Sequence, residues 1–201
     1  SMLGHVTGEI GPEIQIRLAA CADATLAHEL IAQAVTNEGP VWKGVLAADR
    51  LSPERRVWLA QASEKMSSLQ RQLTLAHLLP LLADPAPYRS EAAELLGPYI
   101  DDEPFSSDAA FGSYPIDSAM KALCEVADLA TVRDWLSRLV VEEGPRAWLA
   151  SAIAVRLATL GEDDDAWNVA RELANVDEWA AAEALVGLAR SSRAAADARA
   201  K

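Results

Sequence analysis

The chain has 201 residues, with 18 basic and 30 acidic side chains and a formal net charge of −12. Apolar residues make up 51% of it, which excludes disorder as a whole-chain state, and a chain this long buries about 70% of its unfolded surface without disulfides or metals. The 40 Ala and 26 Leu, against 26 Val, Ile and Thr together, favour helix over sheet, because Ala and Leu head the helix scale and β-branched side chains lose rotamer freedom there.

Pro12 stands at the first position of a helix predicted to run to Ala22, after which Asp23 caps a second over Ala24 to Thr36. Gly39-Pro40 ends that segment and opens a third carrying Trp42, which reaches Asp49. Ser52-Pro53-Glu54 combines a cap, a proline at the first helical position and an acidic first turn. The helical pattern that follows extends to Leu82, and a break is expected at Ser67-Ser68. Asp84-Pro85-Ala86-Pro87 reads as a turn, and Tyr88 to Leu96 as a helix stopped by Gly97-Pro98. Residues 101–115 form the one long irregular stretch, an expected connecting loop pinned by Phe105, Phe111 and Tyr114. Five helices are predicted beyond it, over Asp117 to Ala127, Thr131 to Glu142, Pro145 to Leu160, Asp165 to Ala174 and Asp177 to Ala189. Residues 190–201 read as a frayed Ala/Arg-rich tail behind a single domain over 3–189.

Three internal echoes are visible. Leu129-Ala130 through Trp135 returns 44 residues later as Leu173-Ala174 through Trp179, and in both copies a helix is expected to end, turn and restart at the Trp. Glu38-Gly39-Pro40 with Trp42 parallels Glu143-Gly144-Pro145 with Trp148. Ala92-x-x-Leu95-x-Gly97 parallels Ala182-x-x-Leu185-x-Gly187, where the small residues are expected to admit a neighbouring helix. Within this pattern Leu81-Leu82-Ala83-Asp84-Pro85-Ala86-Pro87-Tyr88-Arg89, with Ala92-Ala93 and Leu95-Leu96-Gly97, resembles the turn and second helix of a HEAT-like repeat. The resemblance implies an all-α fold of stacked antiparallel helix pairs forming an α-solenoid, with about nine to ten helices and no sheet, and a surface that binds other proteins rather than a reaction.

Catalytic patterns are missing. The three histidines have no metal-ligand spacing, and no nucleophile elbow, Walker run or glycine-rich phosphate cradle occurs. Asp164, Asn168 and Glu172 resemble the second magnesium motif of terpene cyclases, but the partner aspartate-rich motif is lacking, so no metal and no cofactor is expected. Cys21 and Cys124, both in Ala/Leu-rich helical surroundings, read as buried free thiols. No basic-then-apolar leader and no apolar run of about twenty residues is present, so a cytoplasmic protein with no membrane partner is expected.

Charge is unevenly divided. Residues 1–100 carry 8 basic and 11 acidic side chains, and residues 101–201 carry 10 and 19, a field that repels nucleic acid and attracts a basic protein or peptide. The expected contact residues are Glu142, Glu143, Trp148, Asp163, Asp164, Asp165 and Trp167, in the half that also holds Trp135 and Trp179. The expected partner is another protein or another part of a longer parent chain, and two alternatives stand beside this scaffold reading. One is a lyase-like enzyme or carrier that holds an apolar molecule between helices near His77 and the aromatics of the 101–115 loop; the other is an acidic immunity or inhibitor protein.

Overall fold

The structure, a computed structural model, describes residues 11–36, 47–100 and 113–199, with side chains of 116–191 in the last segment. Every regular element among the described residues is helical, so the fold is all-α, built by packing helix on helix. Sequence reading joins residues 3–189 into one array, whereas internal contacts divide the chain into two compact units, Ser1–Leu95 and Leu96–Lys201. Residues 40–46 of the third predicted helix and 101–112 of the expected loop lie outside the described residues; the end of that helix is a 3-10 turn, Ala48–Arg50, and the last three residues of the expected loop are already helical from Ser113.

In the first unit, α1 (Pro12–Cys21) and α2 (Ala24–Thr36) are joined through Asp23, whose Oδ1 accepts from the Leu26 amide at 2.9 Å. Capping by Asp meets an otherwise orphaned amide, as the sequence predicts. Ala27, Leu30, Ile31, Ala34 and Val35 bury one face of α2, which packs on α1 and on α3 (Pro53–Ala62). Ser52 caps α3 through a 3.4 Å bond from the Arg55 amide. The long predicted helix breaks into α3, a 3-10 turn over Ser63–Lys65 and α4 (Ser68–Leu78), close to the expected position. α4 packs against α5 (Ala86–Ala93), and Arg71 grips Glu91 through both carboxylate oxygens.

Gly97-Pro98 does not stop the chain. α5 passes through a 3-10 turn, Glu94–Leu96, into a further helical turn, α6 (Gly97–Ile100). Proline is compatible with the first turn of a helix, and burial of Tyr99 and Ile100 favours continuing it.

The second unit contains α6, α7 (Ser113–Val126), α8 (Leu129–Arg138), α9 (Pro145–Thr159), α10 (Asp163–Leu173) and α11 (Glu178–Arg199). α9 is its hub. Ala147, Ala150, Ala152, Ala154 and Ala158, interleaved with Leu149, Ile153 and Leu157, are all buried, so neighbours approach on several sides. It packs on its chain neighbour α10 and on α7 and α11, the helices two places away, which is how stacked pairs share an interior. Gly161, at φ 86°, ends α9, and the Glu162 amide reaches back to the Leu157 carbonyl at 3.0 Å. That left-handed position favours glycine. Gly187 of α11 serves contact instead, because a Cβ there would come within 2.3 Å of Val155 Cγ2 on α9.

Two predicted equivalences fail. Asp128 caps α8 through the Thr131 amide at 2.8 Å, so Leu129 to Trp135 all lie inside one helix. Leu173 instead ends α10, and Asp177 caps α11 by accepting from the Trp179 and Ala180 amides, both at 3.0 Å. The same letters therefore sit at different distances from their caps. Gly97 likewise has open space where Gly187 meets Val155. The last helix runs to Arg199, past the expected end at Ala189, because the Ala/Arg-rich segment consists largely of strong helix formers.

Candidate functional site

Acidic residues in the second unit fall into two groups. Asp163, Asp164 and Asp165 form the first turn of α10, where carboxylates favour the helix dipole. Arg133 of α8 donates through Nη2 to Glu162 at 2.7 Å and to Asp165 at 3.1 Å, pairing one of the three aspartates across helices. These ion pairs are half exposed and contribute at most about 1 kcal/mol each, so their main effect is to reduce the local field. Asp163 and Asp164 remain exposed, and Trp167, one turn on, is 46% exposed.

Glu142 and Glu143 belong to the segment before α9. Arg146 donates to Glu142 at 3.0 Å, whereas Glu143 is exposed. Trp148, in the first turn of α9, is half-buried, with Lys121 Nζ 5.8 Å from its ring centre. The structure does not bring these residues together with the Asp163 group. Trp148 opens α9 and Asp163 follows its far end, so the helix between Trp148 and Thr159 sets them roughly 16 Å apart along the axis. A single groove containing all seven expected residues is not formed.

The chain matches no protein family, no curated protein and no solved structure. The site must therefore be read from its own geometry. Sequence reasoning missed the outer face of α11. Trp179 is 79% exposed, and Leu185 and Val186 are also open to solvent, while Ala180, Ala181, Ala184 and Leu188 face inward. Trp179, Ala182, Val186 and Ala189 recur at helical spacing on one side, a periodicity visible in the sequence once the helix start is correctly placed.

A second missed feature lies between α7, α9 and α11. A cleft of about 340 Å³ has Lys121 and Glu183, an ion pair, among its lining residues, with Cys124, Ser151, Ala152 and Val155 on its walls. Burial pushes the Cys124 thiol up to about 12, against the opposing field of Arg156, so it is a neutral thiol rather than a nucleophile. Arg156 donates Nε and Nη2 to the Ala127 carbonyl at 2.9 and 2.7 Å, which closes the end of α7. Beside this network, burial raises the Asp117 carboxyl above its ordinary range, offset by Lys121 and reinforced by Glu183; Tyr99 rises to about 12 through burial and Asp117.

His77, the expected pocket residue of the small-molecule reading, is mostly buried and donates Nδ1–H to the Leu73 carbonyl at 2.8 Å. Burial lowers its pKa despite that bond. Among the described residues no cluster of His, Cys, Asp and Glu is arranged to hold a metal, and no helix is long and apolar enough to cross a membrane.

Proposed function

We propose that the chain is a non-catalytic helical-repeat scaffold of the cytoplasm that binds a basic protein or peptide through the outer faces of α10 and α11. The exposure of Trp179 carries this reading. A large ring on an ordered helix with most of its surface in water forgoes about 1.5–3 kcal/mol of burial that a partner can supply. Tryptophan is also the residue type most enriched at binding hot spots. Exposed Leu185 and Val186 extend the apolar strip, and exposed Asp163, Asp164, Glu172 and Glu178 on the same two helices favour Lys or Arg in whatever covers it. Relative to the contact set expected from sequence, Asp163, Asp164 and Trp167 stay in the proposed site and Trp179 joins it. Glu142, Glu143 and Trp148 lie at the other end of α9 and are left out, as is Asp165, which pairs with Arg133.

Selection of displayed random peptides against the wild-type chain tests the proposal. Recovered peptides should be rich in Lys and Arg and should bind less tightly as salt rises. Trp179→Ala should weaken them at least tenfold, and the pair Asp163→Lys with Asp164→Lys should weaken them further. Peptides without basic bias, or unchanged binding to the Trp179→Ala chain, would reject it.

A further inference from the structure

The cleft between α7, α9 and α11 carries an inference independent of the partner face. Its apolar walls come from Ala152 and Val155 of α9, with the neutral Cys124 thiol of α7. Ser151 also lines it, is 1% exposed, and its Oγ has no protein hydrogen-bond partner. A buried hydroxyl without a partner is unfavourable, and an alanine there would pack the same helix without that penalty. Three of the charged groups at the cleft are already engaged: Lys121 pairs with Glu183 and lies over the Trp148 ring, and Arg156 is committed to the Ala127 carbonyl, while a fourth, the exposed Glu125, adds a negative charge to the lining. An anion would meet the Glu125 and Glu183 carboxylates or have to displace one of these contacts, whereas a neutral ligand leaves them intact. The volume of about 340 Å³ equals roughly eleven water volumes, at the small end of the range for organic ligands.

We propose that this cleft binds a small, neutral, mostly apolar organic molecule bearing one hydrogen-bonding group, which meets the Ser151 hydroxyl once that side chain turns toward the cleft, while its body covers Ala152 and Val155. The site differs from the sequence-based expectation of a ligand near His77. It supplies recognition rather than catalysis, because the hydroxyl has no hydrogen-bond partner to activate it and the buried thiol stays protonated.

The test titrates 2-naphthol, with 2-naphthoate as the charged comparison, into the full chain while backbone amide resonances are followed. 2-Naphthol should shift amides of residues 121–125 and 151–159 in a saturable manner, and 2-naphthoate should bind at least tenfold more weakly. Ser151→Ala should weaken 2-naphthol about three- to tenfold, the worth of one hydrogen bond, while leaving the melting temperature unchanged or higher. Ala152→Leu should abolish binding by filling the cleft. If that variant unfolds, the Ser151→Ala comparison decides alone. Absence of shifts at these residues, equal binding of 2-naphthoate, or unaltered affinity in Ser151→Ala would overturn the proposal.

Discussion

The two units use their cations differently. In the first, Arg55 donates to the carbonyls of Ala19, Ala20 and Ala22, closing the end of α1, and Arg56 donates to those of Ala48, Asp49 and Leu81. These two arginines serve the backbone, while Arg17 and Arg71 pair with Glu13 and Glu91. In the second, Arg156 does the same for Ala127, but Arg133, Arg138 and Arg146 pair with surface carboxylates that outnumber them. The first unit is thus tied together by charge-assisted bonds to helix ends, which are strong because they satisfy carbonyls that helices leave orphaned. The second is held chiefly by Ala-rich close packing and keeps surplus negative charge and two rings outside. Solvent-facing apolar residues alone do not separate the units, since α1 exposes Ile14 and Leu18. Among the described residues, the combination of exposed tryptophans with exposed Asp163 and Asp164 does.

Substitutions should break this contrast unequally. Arg55→Ala should have the largest effect, lowering stability by about 2–4 kcal/mol in urea unfolding, because three carbonyl contacts are lost together. Gly187→Ala should cost the second unit about 1–3 kcal/mol through collision with Val155, and adding Val155→Ala should recover most of it. Trp179→Ala should change stability by less than about 0.5 kcal/mol, since the ring has little protein around it, so its effect on binding is separable.

The smallest effect concerns pH. Burial lowers the His77 pKa from 6.5, so the unfolded chain takes up a proton at a higher pH than the folded one does. The neutral imidazole's contribution is complete above pH 6.5 and is lost as pH falls from there toward the depressed folded value. His77→Gln should remove that part of the slope in urea titrations below pH 6.5; an unchanged slope would place the titration elsewhere.

Local chemistry was the legible part of this fold. Asp23, Ser52 and the helix-favouring composition announce helix starts because a cap acts within three residues. Gly97-Pro98 misleads because the burial of Tyr99 and Ile100, a tertiary effect, outweighs a local stop signal. The Trp135 and Trp179 echo misleads for a related reason. Position relative to Asp128 and Asp177, rather than identity, decides that Trp135 is buried and Trp179 exposed. The expected binding residues were chosen by charge and ring content, which sequence shows, but their pairing with Arg133 and Arg146 and their separation along α9 depend on packing. The cleft was illegible because Lys121, Ser151 and Glu183 come from three helices.

The most direct test of the partner face uses the full chain labelled with 5-fluorotryptophan and titrated with a selected basic peptide. The fluorine resonance of Trp179, assigned by its loss in Trp179→Phe, should shift saturably while that of buried Trp135 stays in place. A shift at Trp135 with Trp179 unmoved, or no shift at either under saturating peptide, would contradict the account.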